Sequence, residues 1–333
     1  MIRRSKLNGR RVLIMVWAML LLCTGPLSVA AAQDKKAAIA DDVTVKLDGE
    51  AVKISDPVRM LDGRVFLPVV RIVGMFGATV KWDKVNEEAT IHTVLGEQIV
   101  LGNGVPVVYF NEGRYVMEEA PFLSDGRLYI PLRHAAELLH ATVKWNKEEK
   151  AAELTTVQPA VVTEAYGLAE ISKETGSSKS ELLQRNRLDS KAVIKEGTKL
   201  RVVMPSILDN EAEPYTEKDL MLLAQITQVE SGYESYEGQL GVANVILNRV
   251  KDSRFPDTIH GVIYSGKQFP PAHNGLLDKS KPNASVFRAA KDALNGKNNV
   301  EKAIYFMNPK VSKGSFWSSL KIITTIGHHS FAK

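Results

Sequence analysis

The sequence predicts a multidomain α+β fold: a duplicated small α/β module, a βααβ module and a mostly α-helical C-terminal domain. Three observations carry this prediction. Two hexapeptides recur at an offset of 63 residues, a strand–helix–helix–strand pattern fills residues 161–205, and apolar residues at helical spacing mark the start of residues 215–333. At 333 residues the chain exceeds one ordinary domain, and its 44% hydrophobic content suits packed modules rather than disorder.

Residues 1–32 read as a secretory signal, so the mature protein is expected to be secreted. Arg3, Arg4, Lys6, Arg10 and Arg11 precede an apolar run, Val12 to Leu22, and small residues lead to Ala30-Ala31-Ala32. The run is too short for a comfortable membrane span, and no stable span is expected after cleavage behind Ala32. Cys23, the sole cysteine, leaves with this segment, which removes disulfides and thiol chemistry from the mature chain. Five basic residues leave as well. Of 43 basic and 38 acidic residues, 38 of each remain, so the pI near 9.0 is no sign of nucleic-acid binding. Residues 215–333 keep 15 basic against 10 acidic residues, a balance that polyanionic wall polymers attract.

The duplication spans residues 43–155. Gly63-Arg-Val-Phe-Leu-Pro68 recurs as Gly126-Arg-Leu-Tyr-Ile-Pro131, and Ala78-Thr-Val-Lys-Trp-Asp83 as Ala141-Thr-Val-Lys-Trp-Asn146. In each copy a strand meets a Gly-Arg turn, and Pro then opens a helix, Val69 to Phe76 or Leu132 to Leu139. A Thr-Val-Lys-Trp strand follows, then a charged turn and a last strand, Ala89 to Val94 or Ala151 to Thr155. These residues resemble the duplicated N-terminal module of some copper amine oxidases, found also on secreted wall proteins of Gram-positive bacteria. The resemblance implies a wall-associated or spacing domain. Copper is not expected. It needs several nitrogen or sulfur ligands, and His92, His134 and His140 share no close spacing. The last two lie on the helix pattern and read as half-buried.

Over residues 161–205, Leu168 to Gly176 is an amphipathic helix stopped by Gly. Ser180 to Asn186 is a second helix, and Gly197 to Val203 a strand closed by Pro205. The pattern resembles a LysM module, which implies affinity for N-acetylglucosamine in glycan chains. The family's Gly-Asp-Thr-Leu opening is replaced by Glu164-Ala-Tyr-Gly-Leu168, and a spacer remains the alternative. Residues 206–214, acidic and turn-rich, read as a linker.

In residues 215–333, Thr216 followed by Asp219 forms a capping box. The helix it opens runs from Glu217 to about Val229, with Gly232 as its stop and Glu230 in its last turn. The terminal carbonyls carry partial negative charge, which together with apolar surroundings raises a carboxyl pKa. A glycosidase acid needs this, because it must hold a proton near neutral pH. Spacing alone equally admits a solvated surface carboxylate, for Glu230 as for Glu234 and Glu237.

Ordered blocks extend the reading: Glu230-Ser-Gly-Tyr-Glu-Ser-Tyr-Glu-Gly-Gln239, Val245-Ile-Leu-Asn-Arg-Val250, Arg254-Phe-Pro-Asp-Thr258, Gln268-Phe269, Ala303-Ile-Tyr-Phe-Met-Asn308 and Gly327-His-His-Ser-Phe331. They resemble the SleB/CwlJ cell-wall hydrolases, known for degrading spore cortex. The resemblance implies a lysozyme-like domain with Glu230 as its essential acid. The family usually reads Glu-Ala-Arg-Gly-Glu-Pro at that turn, whereas this chain has Glu230-Ser-Gly-Tyr-Glu-Ser235. Glu234 is expected to orient water or Glu230, and Glu237 to be structural. Asn248 and Arg249 are expected to tie down backbone near a cleft. Tyr264, Gln268, Phe269 and Tyr305 are candidates to line a sugar groove, and of the adjacent His328 and His329 at most one, taken as His329, points inward. Neither histidine has an HExxH or cysteine partner, so no zinc or other cofactor is expected.

Two-carboxylate hydrolysis needs a second acid, and only the remote Asp257 and Asp278 offer themselves. One acid suffices for a lytic transglycosylase acting on the MurNAc–GlcNAc strand of peptidoglycan, in cortex or vegetative wall. Open alternatives are a hydrolytic muramidase, a zinc amidase and a non-catalytic wall-binding protein. An accessory or activating partner is left unknown.

Overall fold

The computed structural model describes residues 37–333 except Lys267. The expected secretory signal lies outside the described residues. Among those described, no helix is long and apolar enough to cross a membrane. Residues 39–333 form one compact unit.

The duplication is visible as a pseudo-dyad. Strands Arg64–Pro68 and Arg127–Pro131 pair antiparallel, and Leu67 faces Ile130, its own counterpart one repeat on. Each strand belongs to a hairpin closed by an Asp-Gly pair, Asp62-Gly63 or Asp125-Gly126, with both residues at positive φ. That is the two-residue turn whose twist matches antiparallel strands. Helix α1 (Val69–Met75) and helix α2 (Leu132–Leu138) follow, each one residue shorter than expected. Pro68 and Pro131 are the extended caps before the helices rather than their first residues. Strand Glu88–His92 also stops short of Val94.

The two copies then complete their sheets differently. Strands Thr79–Asp83 and Glu88–His92 continue antiparallel into Gln98–Gly102, Val107–Phe110 and Gly113–Val116. Strands Ala141–Asn146 and Ala151–Thr156 instead take Thr44–Leu47 as a parallel neighbour. One core, including Leu67, Ile72, Leu101, Ile130 and Leu138, serves both copies.

His134 and His140 are buried rather than half-buried, and His140 lies past α2 at φ 64°. His140 Nε2 sits 2.6 Å from Glu97 Oε2, while the Arg185 guanidinium lies 3.2 Å from the same nitrogen. A cation already occupies the space beside His140 and Glu97, so that pair does not fit copper.

Residues 160–200 form a compact βααβ unit. Strands Ala160–Val161 and Lys199–Leu200 pair antiparallel around α3 (Leu168–Thr175) and α4 (Lys179–Arg185). Gly176, left-handed at φ 70°, ends α3, and a Ser178–Glu181 capping box opens α4. Val162, Ile171, Leu182 and Leu200 make its small core.

Residues 206–214, expected as a linker, pack against the duplicated module. Ile207 is buried in the core of the duplicated module, and Val116 and Arg114 exchange backbone hydrogen bonds with Asn210 and Ala212 at 2.8 and 2.9 Å.

The C-terminal domain contains α5 (Glu217–Ser231), α6 (Tyr236–Val250), α7 (Ile259–Tyr264), α8 (Leu276–Lys279), α9 (Ala284–Leu294) and α10 (Ser315–Ser319). A three-stranded sheet completes it, in the order 305–307, 329–332, 322–326. The three long helices pack through Leu223, Ala224, Leu240, Ala243, Ala289 and Ala290, all fully buried. The small alanines let the helix axes approach closely. Gly241 continues this principle against the sheet: a Cβ there would sit 2.5 Å from Phe331 Cζ.

Candidate active site

Helix α5 places Glu230 one residue before its end. The expected capping box is present, with Asp219 N donating to Thr216 Oγ1 at 3.1 Å and Thr216 N to Asp219 Oδ2 at 2.9 Å. It fixes the register from which Leu220, Leu223, Ala224 and Ile226 turn into the core. The helix runs two residues past the expected end, and Gly232 stays right-handed at φ −59°.

Glu230 is half-buried, and among the described residues nothing hydrogen-bonds or ion-pairs with its carboxyl. Burial pushes its pKa up, and the charge of Arg249 pulls against that. A carboxyl that is desolvated, unpaired and still reachable is suited to carrying a proton toward a ligand. Other acids of the domain differ. Asp292 is buried, but Tyr236 Oη donates to it at 2.6 Å. Glu237 accepts from Asn299 Nδ2 at 2.8 Å. Asp257 and Asp278 are exposed.

Arg249 is the least expected member of the site. It is buried on α6, and its Nε donates to the Ile304 carbonyl at 2.7 Å. Rings of Phe255, Phe269 and Tyr305 surround its guanidinium at 5.2, 5.4 and 5.8 Å. Burial lowers its pKa to about 10, against the pull of Tyr305 and Glu230, so it stays a cation at neutral pH. Beside it, Asn248 Nδ2 donates to the carbonyls of Glu301 and Ala303, both at 2.8 Å. The pair ties down backbone as expected, but the sequence did not show that the Arg charge reaches Glu230.

Phe269 corrects the expectation of a groove-lining ring. It is 2% exposed, inside the helical core and beneath the guanidinium. Aromatic residues suit both cores and sugar faces, and residue type alone did not decide between them. Gln268 is exposed. Tyr264 is half-buried, stacked on His260 at 4.5 Å and edge-on to His273 at 6.2 Å. Tyr305 is half-buried and meets Phe316 edge-on at 5.5 Å, and Phe316 in turn meets Trp317 at 5.1 Å. Phe316 and Trp317, carried on short α10, are not legible in the sequence because no periodic pattern marks that segment.

Glu234 does not bond Glu230. Its carboxylate accepts from His328 N at 3.2 Å and lies 2.8 Å from His328 Nδ1. Burial opposes its charge, but the His328 hydrogen bonds outweigh that and lower its pKa. The turn it holds requires Gly327, at φ 58°, where any Cβ would collide with the carboxylate. His329 points inward, edge-on to Phe306 at 5.4 Å, and burial lowers its pKa against the pull of Glu234.

Comparison with known proteins matches two parts of the chain, and the second N-terminal match runs on through most of the βααβ unit. Residues 233–332 match the Cell Wall Hydrolase family, and residues 46–154 and 109–199 match the copper amine oxidase N-terminal domain. The chain is 36% identical over 129 residues to a spore cortex-lytic enzyme of Oceanobacillus iheyensis, covering 39% of this chain and 46% of that protein. It is 36% identical over 124 residues to a spore cortex-lytic enzyme of Bacillus cereus, covering 37% and 48%. The chain thus spans about half the length of the curated relatives it matches. Among solved structures, the catalytic domain of the germination-specific lytic transglycosylase SleB from Bacillus anthracis is 35% identical, with 36% of this chain and 98% of that chain covered at a TM-score of 0.35. The C-terminal domain is a homologue of cell wall hydrolase catalytic domains.

Proposed function

We propose, from a C-terminal domain of the cell wall hydrolase family, that this protein cleaves the MurNAc–GlcNAc glycan strand of peptidoglycan as a lytic transglycosylase. The observation that carries the reading is Glu230: half-buried, unpaired among the described residues, and raised in pKa at the end of α5. Glu230 gives its proton to the glycosidic oxygen as the bond to the muramyl C1 breaks. The C6 hydroxyl of the same muramyl residue then bonds C1, and its proton returns to the Glu230 carboxylate. The ring closes without water, and the acid is regenerated. Between the two steps the carboxylate is charged, and Arg249 is the cation whose field stabilises it. The hydrolytic alternative needs a second acid beside the bond. Asp292 and Glu237 are already engaged, which favours the single-acid route.

The names of the curated relatives favour spore cortex as the target wall. We assign the domains as signal 1–32, duplicated wall-associated module 43–155, LysM-like module 161–205, connector 206–214 and catalytic domain 215–333. A secreted, wall-associated protein follows from that division. The test is the mass of fragments released by residues 33–333 from purified cortical and vegetative peptidoglycan. Ends one water lighter than reducing muramyl ends are expected. Ordinary reducing ends would replace this mechanism by hydrolysis, and no release from either wall would leave a binding protein.

A further inference from the structure

The duplicated module contains a cleft that the reaction above does not use. Helix α2, strand Ala141–Asn146 and the Gly63–Arg64 turn wall a space of 410 Å³, within the roughly 300–1,000 Å³ of small-ligand sites. Trp145 lines it and is 45% exposed, and Trp82, its counterpart in the first copy, is 41% exposed. An indole kept open to solvent in a strand whose Ala141 is fully buried contributes little to the core. Arg64, Arg133 and Lys144 also line the cleft. Arg64 is neutralised by Glu118 at 2.6 Å and Glu119 at 3.5 Å. Arg133 and Lys144 are exposed, and neither side chain makes an ion pair or hydrogen bond among the described residues, while the field of Arg133 reaches Glu118, an acid that also lines the cleft.

We propose that this cleft binds an anionic glycan, with a pyranose face on Trp145 and a carboxylate between Arg133 and Lys144. An indole face offers a flat apolar plate of ring size, and a guanidinium grips carboxylate with paired donors. The wall strand presents both groups together, since its muramyl sugars carry either a free lactyl carboxylate or a stem peptide with its own carboxylates. Choosing the peptidoglycan strand as the occupant rests on the function proposed above. The site would hold the strand well apart in sequence from Glu230, so binding and cleavage are separable.

The test uses residues 33–333 carrying Trp82→Phe, Trp317→Phe and Glu230→Gln, which leaves Trp145 as the only tryptophan and prevents cleavage. Soluble GlcNAc–MurNAc-peptide oligomers are titrated against its fluorescence. A saturable change is expected, weakened about tenfold by Arg133→Glu or Lys144→Glu, as for charged anchors in a binding pocket. Both substitutions are on exposed positions, so folding is retained and is checked by circular dichroism. Neutral GlcNAc oligomers of equal length should bind at least tenfold more weakly. No change in Trp145 emission, or equal affinity in Arg133→Glu and Lys144→Glu, overturns the site. Equal binding of the neutral oligomer overturns its anionic part, and a response to teichoic acid alone overturns the choice of strand. Fragment release is measured separately on the chain with Glu230 intact. Its failure removes the lytic reading while leaving a binding cleft in place.

Discussion

Glu230 sets the residue-scale predictions. Glu230→Gln should reduce fragment release by about 10²- to 10⁴-fold, the usual contribution of a general acid, with the fold unchanged by circular dichroism. The pH profile follows from the sign of its shift. A pKa raised by burial means that the protonated acid persists above the ordinary 4.5 and is lost as pH rises through the folded value. The folded state binds more protons there, so Glu230 makes the protein less stable as pH rises through that window. Glu230→Gln should therefore be more stable than wild type at pH 8, measured by urea unfolding, and less active. Arg249→Leu should shift the alkaline limb of the rate profile upward, because the opposing cation is gone. It should also cost about 2 kcal/mol for the lost charged hydrogen bond to Ile304. The place of Glu230 in the last turn of α5 was legible because a helix end is local information, whereas its role as the acid rested on the family resemblance. The sequence did not disclose Arg249, since α6 brings that charge to α5 only through tertiary packing.

At the scale of elements, Gly241 tests how tightly α6 lies on the sheet. Alanine is the better helix former by about 1 kcal/mol. Here its Cβ would meet Phe331, itself fully buried, and overpacking costs about 1–3 kcal/mol. The contact should win, so Gly241→Ala should lower stability by about 1 kcal/mol in thermal unfolding. The start of α5 was legible because Thr216 and Asp219 are three residues apart and solve a local problem. The duplicated strands were legible because two copies state the same pattern twice. Which strand would finish each sheet was not, since Thr44–Leu47 pairs with residues more than a hundred positions away.

At the scale of the whole molecule, charged contacts fix one module to the next. Glu97, on the duplicated module, is buried between His140 and Arg185, with Arg201 Nε 3.4 Å away. Burial opposes its charge, but His140 and Arg185 outweigh it and hold its pKa at about 2. Its stabilising effect is complete above 4.5 and lost as pH falls through about 2. Glu97→Gln should cost about 3 kcal/mol at neutral pH and flatten the acid limb of stability, followed by urea titrations from pH 6 to 2.5. Elsewhere, Arg288 pairs with Glu87 and Lys291 with Glu88, at 2.8 and 2.7 Å, across the face of α9. Arg114 donates to Asn295 Oδ1 at 2.8 Å and lies 4.3 Å over the ring of Tyr215. None of these last pairs was legible, because their members are a hundred residues or more apart and each reads alone as an ordinary surface side chain.

The stretch from Asn210 to Ala212 completes the pairing of strand Gly113–Val116, which would otherwise present a bare row of donors and acceptors to solution. Such a row recruits further chains. Where the polypeptide is cut therefore decides whether the N-terminal half stays dispersed. A fragment ending at residue 205 would self-associate through that strand, while one ending at 214 carries its own cover and should remain monomeric in light scattering.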